Sequence, residues 1–127
     1  MAARLREVGC TPDLIVHSPL VRTSQTAELF QRGLGVGELL SSERLKPGAS
    51  PGVVIAELEG LAEFQSVMLV GHAPDVSIWS YKFIAHEPER QLRFEPGTVA
   101  GFEFSGGISE KSAQLRCFIT PRELGGF

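Results

Sequence analysis

Two short stretches of the sequence, IVHSPLVR and MLVGHAP, share an arrangement that can bind a small oxyanion. In each stretch, an apolar run that predicts a buried strand ends at a polar residue, and a proline and a helix follow. Ligands of open α/β sheets bind at the carboxyl ends of the strands, where loops and helix N-termini gather. A helix N-terminus presents unpaired backbone N–H groups and a partial positive charge, which favour an anion. The two stretches, each with its own helix start, therefore predict an anion site at one sheet edge.

Two side chains in these stretches have the chemistry that such a site needs. Arg22 follows Ser18 and Pro19 by about one helical turn, and its planar guanidinium suits a phosphate. His72 ends the second strand, and Gly71 before it would let a ligand approach the backbone. The ordinary alternatives are a solvated helix arginine and a core histidine bonded to a carbonyl group. The motif context that the two residues share favours the anion site.

Other candidate residues have simpler interpretations. His17 could reach the same edge as a substitute nucleophile, but a partly buried strand-end histidine is the more ordinary expectation. Thr26 lies one turn after Arg22 and either supports it or contacts only the helix face. His86 is expected in a loop. The aromatic residues of one later helix are expected to pack rather than to stack on bases; they are Trp79, Tyr81 and Phe83.

Composition limits the class of protein. The 127 residues carry 12 Lys+Arg against 15 Asp+Glu, a net charge of -3, so no broad basic surface for nucleic acid is expected. Lys82, Arg90 and Arg93 are too scattered to form such a surface. No segment has the roughly 18 consecutive apolar residues of a membrane span, and no basic region that leads into an apolar run stands at the start, so we expect no secretion. We expect a soluble, cytoplasmic, single-domain protein over 1–127, with Cys10 and Cys117 reduced.

The elements that must position the two stretches alternate between helix and strand. In chain order the pattern predicts a helix over 1–8, a strand over 13–17, a helix over 20–32, irregular structure to residue 49, a helix over 53–64, a strand over 67–70, and a helix from Pro74 to about Ala85. For the helix over 20–32, Ser18 is the predicted N-cap and Pro19 occupies the first helical position. Ser50 and Pro51 give the same signal before the helix over 53–64. After Pro88, short alternating segments predict antiparallel strands. We expect an α/β fold: a mostly parallel sheet with helices on both faces and a small C-terminal antiparallel hairpin.

The order and spacing of these motifs resemble the histidine phosphatase superfamily, which has the phosphoglycerate-mutase-like fold, and most closely its SixA-type phosphohistidine phosphatases. DLIVHSPLVRTSQTAELF resembles the family's strand, Ser-Pro, arginine and Gln-Thr-Ala-Glu helix. ERLKPGAS resembles its Leu-x-Pro-Gly stretch, VMLVGHAPDVS its Val-Gly-His-x-Pro strand end, and FEPGTVAGFEF its closing hairpin. The resemblance covers nearly the whole chain.

The resemblance implies a role for each matched residue. Arg22 matches the arginine that binds phosphate, and His72 matches the second histidine, which contacts the phosphoryl group and stabilises its charge. The backbone N–H of Ala73 would be a further donor. The implied activity is removal of a phosphoryl group from protein phosphohistidine through a phosphohistidine intermediate, without a metal or another cofactor. A small-molecule phosphatase or mutase ranks lower, because the span between Phe30 and Val67 leaves little room for a mutase's extra acid.

The sequence departs from the family at one point, because it contains no Arg-His-Gly, whose histidine accepts the phosphoryl group. The first helix has no N-cap, so the sequence resembles the family from within the helix after that strand. We therefore expect the chain to be inactive or nearly so, and a pseudo-phosphatase that binds phosphate or a phosphoprotein is the alternative. The expected partner is a phosphorylated protein or a small phosphorylated molecule, not a nucleic acid or a membrane.

The resemblance also predicts a gap in the sheet. The family's Arg-His-Gly strand lies between the strands that correspond to DLIVH and VMLV. Without it, two strand edges would lack partners, and open apolar edges recruit other chains. We therefore expect either pairing between copies of the chain or a rearranged sheet.

Overall fold

The computed structural model describes residues 1–84 and 94–120. In chain order, the elements of these ranges are α1 (Ala2–Glu7), β1 (Leu14–His17), α2 (Val21–Leu34), β2 (Glu38–Ser41), a 3-10 turn (Glu43–Leu45), α3 (Pro51–Glu59), β3 (Val67–Val70), α4 (Asp75–Phe83), β4 (Val99–Phe104) and β5 (Ala113–Ile119). The predictions for His86, Arg90 and Arg93 lie outside the described residues, and α4 ends at Phe83, before its predicted end near Ala85.

Three of these strands form a parallel sheet in the order β2-β1-β3. The central strand pairs on both sides, so that His17 lies opposite Ser41 in β2 and opposite Val70 in β3. Strands β4 and β5 form a separate antiparallel pair. The predicted α/β class, with a parallel sheet, flanking helices and an antiparallel hairpin near the C-terminus, is confirmed.

The central strand packs into a different apolar core on each face of the sheet. Leu14 and Val16 pack with residues of α3 and α4, whereas Ile15 packs with residues of α1 and α2. The three side chains are fully buried or nearly so. Successive side chains of a strand point to opposite faces, and burial on both faces explains why β1 is continuously apolar. Each such side chain contributes about 1.5–3 kcal/mol by leaving water.

The two edges expected to lack partners, those of DLIVH and VMLV, are paired in this structure, so of the two expected outcomes the rearranged sheet is the one that fits. Strands β1 and β3 pair directly with each other, in a continuous register that runs from Leu14 opposite Val67 to His17 opposite Val70. Buried backbone N–H and C=O groups must find partners, and the two strands satisfy one another. This continuity argues against pairing between copies through those two edges. Association of copies through the outer strands stays a prediction.

Two local predictions are wrong. Residues 38–41, expected to be irregular, form β2 beside β1. Strand β2 is mostly exposed, and Leu39 is its half-buried residue that packs against the core. Because one face of the strand is not regularly buried, its sequence lacks the apolar–polar alternation that indicates a strand. Helix α2 begins at Val21 with Leu20 as its N-cap, not at Pro19 behind Ser18. The hydroxyl of Ser18 accepts a hydrogen bond from the N–H of Leu20 at 3.4 Å and contacts His72, and it does not cap the first turn of the helix.

The remaining helices follow the predictions more closely. Ser50 caps α3 as expected, with its Oγ accepting a hydrogen bond from the backbone N–H of Val53 at 3.3 Å. The helix ends at Glu59, before the predicted limit at residue 64. Helix α2 runs two residues past its predicted end and stops at Gly35, whose φ of 70° suits a glycine. No helix within residues 1–84 and 94–120 is long and apolar enough to cross a membrane.

Candidate anion-binding site

Ser18 joins the carboxyl ends of β1 and β3. Its backbone N–H donates a hydrogen bond to the carbonyl of Val70 at 3.1 Å. Its side-chain Oγ lies 2.8 Å from Nε2 of His72, 54 residues later in the chain. Ser18 has no exposed surface, so water does not compete for this contact. The contact brings the two stretches of the sequence together at one sheet edge.

The carbonyl oxygen of Ser18 is held by two neighbouring side chains. It accepts hydrogen bonds from Oγ1 of Thr23 at 2.9 Å and from Nδ1 of His17 at 2.7 Å. Both side chains are buried. Thr23 also lies 3.0 Å from the carbonyl of Leu20, so it ties the start of α2 to the end of β1. The short segment between strand and helix is therefore fixed by side chains rather than by a helix cap.

His17 is a buried strand-end histidine, which was the more ordinary of the two expectations. Its side chain follows Ile15 by two positions, so it lies on the sheet face that α2 covers. Because a carbonyl oxygen only accepts, Nδ1 of His17 carries the proton that bonds Ser18. Ser24 Oγ lies 3.5 Å from the same nitrogen. The role of a substitute nucleophile stays a prediction for His17.

Arg22 is the second residue of α2 and is exposed. Its guanidinium forms no hydrogen bond or ion pair with any residue that the structure describes. The first turn of α2 contains no acidic residue, so the positive end of the helix is not neutralised from within. The structure joins His72 to Ser18, which precedes this helix, and direct convergence of His72 and Arg22 stays a prediction.

The N-terminus of α4 is less suited to an anion than the sequence predicts. Asp75 occupies its first turn and is 8% exposed, with Oδ2 accepting a hydrogen bond from the N–H of Gly48 at 2.8 Å. A second negative charge there would be repelled by this carboxylate. The N–H of Ala73, just before α4, forms no backbone hydrogen bond within the described ranges, and the residue is exposed. The more favourable helix end is that of α2.

Gly71 has a different role from the one predicted. A Cβ atom at this position would lie 2.6 Å from Cη2 of Trp79 and 3.3 Å from Cγ1 of Val76. The glycine therefore makes room for the buried indole rather than for a ligand. Trp79 itself is 3% exposed and donates its Nε1–H to the carbonyl of Ala49 at 2.8 Å, which confirms its predicted packing role.

Thr26 belongs to α2 and lies beside a pocket that is separate from the candidate anion site. It lines an apolar pocket of about 260 Å³ together with Met1, Ala2, Leu29, Phe30 and Gly97. None of the predicted anion-site residues lines this pocket. Of the two expectations for Thr26, a contact on the helix face is the one that the structure supports.

Three solved structures share the fold of this chain. The structure of the protein histidine phosphatase SixA complexed with tungstate has a TM-score of 0.80 at 21% identity, over 97% of this chain and 78% of its own. A SixA protein from Agrobacterium tumefaciens gives 0.69 at 22% identity, over 94% and 75% of the two chains. One from Nakamurella multipartitia gives 0.77 at 22%, over 94% and 77%. The chain therefore shares its fold with proteins described as SixA phosphohistidine phosphatases.

Sequence comparison gives one further likeness. An uncharacterized protein of Picosynechococcus sp. is 30% identical over 107 residues, which are 80% of this chain and 62% of that protein. The chain therefore spans less than two thirds of the length of this relative. No family model matches the chain. In the described parts of the chain, no group of three or more His, Cys, Asp or Glu residues could hold a metal ion.

Proposed function

We propose that this chain binds phosphoryl groups where β1, β3 and α2 meet, as the anion site of a phosphohistidine phosphatase-like hydrolase. Arg22 and His72 bind the oxygens of the tetrahedral group, and the backbone N–H of Ala73 is a third donor. The observation that carries the proposal is the 2.8 Å contact between His72 Nε2 and Ser18 Oγ. It joins a histidine that follows β3 to the segment that connects β1 with α2.

The charges around this helix end support an anionic ligand. Arg22 is exposed and has no acidic partner among the described residues, so its positive charge is available to a ligand. The 14-residue α2 adds the partial positive charge of its N-terminus. An arginine fork and a helix N-terminus together are a common arrangement for phosphate.

The proposed substrate class is a phosphohistidine side chain of a protein. The fold likeness to a protein histidine phosphatase that was complexed with tungstate, a tetrahedral oxyanion, supports this class. The Arg22 guanidinium would offset the charge on the phosphoryl oxygens during transfer, and His72 would donate a hydrogen bond to them. Loss of one preorganised donor of this kind commonly lowers the rate by a factor on the order of a hundred or more.

The second candidate is a binding module that holds phosphate or a phosphoprotein without turnover. The observation that favours it is the sequence itself, in which none of the three histidines lies in an Arg-His-Gly motif. Covalent phosphoryl transfer needs an attacking nitrogen in addition to a phosphate cradle. On this account the chain binds phosphate, and hydrolysis is slow or absent.

Isothermal titration with inorganic phosphate and with tungstate tests the site. Arg22→Ala and His72→Ala should each weaken binding about tenfold or more, since each removes a charged or strongly polar donor. Arg32→Ala is the matched control, because Arg32 is an exposed arginine of the same helix that pairs with Glu28 at 3.8 Å. Unchanged affinity in both site variants would refute the assignment.

Phosphate release from a phosphohistidine model compound separates the two candidates. The chain and a variant extended by a strand ending in Arg-His-Gly would be assayed side by side. Binding without release by the chain, with release by the extended variant, supports an incomplete phosphatase. Binding without release by both supports the binding module. Brisk phosphate release by the unextended chain would show that a residue outside an Arg-His-Gly motif is the nucleophile.

A further inference from the structure

We infer that Ser18 is a positioning residue for His72, because its hydroxyl donates to Nε2 and leaves Nδ1–H as the nitrogen that binds the anion. The anion part of this inference rests on the proposed function. The assignment of the ring proton rests on hydrogen bonding alone and is measured separately.

The hydroxyl proton of Ser18 has one available acceptor among the described residues. Ser18 is fully buried, so its proton cannot be given to solvent. Its Oγ has two hydrogen-bonding neighbours, the backbone N–H of Leu20 at 3.4 Å and Nε2 of His72 at 2.8 Å. The N–H of Leu20 is itself a donor and occupies a lone pair of Oγ. The proton of Ser18 must therefore point to Nε2 of His72, since an unpaired buried hydroxyl is unfavourable.

This direction of donation fixes the tautomer of His72. A neutral imidazole carries one proton, so a ring that accepts at Nε2 is protonated at Nδ1. Nδ1 of His72 forms no hydrogen bond within the described part of the chain, and the ring is half-buried. It is free to donate to an oxyanion. In the opposite tautomer, the lone pair of Nδ1 would repel the same oxyanion.

Ser18 is held firmly enough to impose this choice. Its N–H donates to Val70, and its carbonyl accepts from both Thr23 and His17. On the other side of the contact, the carbonyl of His72 accepts from the N–H of Val76 at 3.0 Å. Both partners are anchored through their backbones, so the hydroxyl and the ring cannot easily move apart. Such outer hydrogen bonds commonly set the orientation and tautomer of a functional histidine.

Long-range ¹H–¹⁵N correlation spectra of the histidine rings test the tautomer. The spectra would be recorded at about pH 8, well above the pKa of histidine in model peptides. The wild-type protein should show His72 protonated at Nδ1 and unprotonated at Nε2, and Ser18→Ala should abolish this preference. Ser80→Ala is the matched control, since it removes the hydroxyl of another buried serine, which donates to the carbonyl of Val76 at 2.7 Å and does not contact Ser18. Protonation at Nε2 in the wild type, or an unchanged tautomer in Ser18→Ala, would overturn the inference.

Phosphate affinity supplies the second readout. Ser18→Ala should weaken binding of inorganic phosphate about tenfold, within the usual range for loss of an outer hydrogen bond, and Ser80→Ala should change it less than about twofold. Equal weakening by both variants would indicate general loosening and contradict a specific role. If the wild type binds no phosphate, the proposed function fails, while the ring spectrum still decides the tautomer. If Ser18→Ala does not fold, the wild-type spectrum alone retains that test.

Discussion

Substitution of Gly71 by alanine probes how tightly His72 is positioned. The new Cβ would lie 2.6 Å from Cη2 and 2.9 Å from Cζ3 of Trp79. Carbon atoms in good contact are about 3.5–4.0 Å apart, so the ring or the backbone must move by about 1 Å. The indole is tethered by its bond to Ala49 at 2.8 Å, so it cannot swing away without losing that bond. The backbone next to His72 is therefore expected to shift.

The size of the effect follows from overpacking of a buried ring. Inserting a methyl group into a close-packed site costs about 1–3 kcal/mol, and we expect about 2 kcal/mol for Gly71→Ala. With a urea m-value of about 2 kcal/mol per molar, the midpoint of unfolding would fall by about 1 M. Phosphate affinity should also fall, because the displaced backbone carries His72.

Two comparisons separate this clash from a general effect of alanine. Gly52 lies in α3 with no atom within 4 Å of an added Cβ, so Gly52→Ala should be neutral or stabilise by up to about 1 kcal/mol. In a Trp79→Phe background, which removes the clashing part of the ring, Gly71→Ala should cost at least about 1 kcal/mol less. The reasoning would be refuted if Gly71→Ala left the urea midpoint of unfolding at its wild-type value. It would also be refuted if the substitution lowered the free energy of unfolding equally in the wild-type and Trp79→Phe backgrounds.

Three further predictions concern other parts of the fold. Asp75→Ala should lower the free energy of unfolding by about 2 kcal/mol, because it removes a hydrogen bond between a carboxylate and the N–H of Gly48, and Asp75→Asn should cost less; urea titration measures both. Burial and the neighbouring Cys10 thiol raise the pKa of Cys117, so its alkylation near neutral pH should be slower than that of free cysteine, and Cys10→Ala should speed it. Leu5→Ala should lower the free energy of unfolding by about 2–5 kcal/mol, measured by thermal or urea unfolding, because this side chain of α1 is fully buried in the core.

The sequence correctly predicts those elements whose local residue pattern fits only one type of secondary structure. Strands β1 and β3 are short apolar runs that end at polar residues and prolines, and both form with nearly the predicted bounds. Ser50 is followed by a proline and an amphipathic run, and it caps α3 as expected. In these places the local preference and the tertiary packing agree.

Other parts depend on partners that lie far away in the chain. The Ser-Pro pair at residues 18–19 has the same local signature as the one before α3, yet Ser18 bonds a histidine 54 residues later. Thr23 gives no signal of its own, because it binds the carbonyl of Ser18 only once the helix has formed. The direct pairing of β1 with β3 was equally hidden, since apolar strands reveal that they are buried but not which strand lies beside them.

A crystal structure of the protein soaked with tungstate tests the central claim most directly. The claim is that Arg22 and His72 bind one tetrahedral oxyanion at the N-terminus of α2. The account predicts a tungstate whose oxygens lie about 2.7–3.2 Å from both the guanidinium of Arg22 and Nδ1 of His72. A tungstate bound elsewhere, or one that contacts only one of these two side chains, would contradict it.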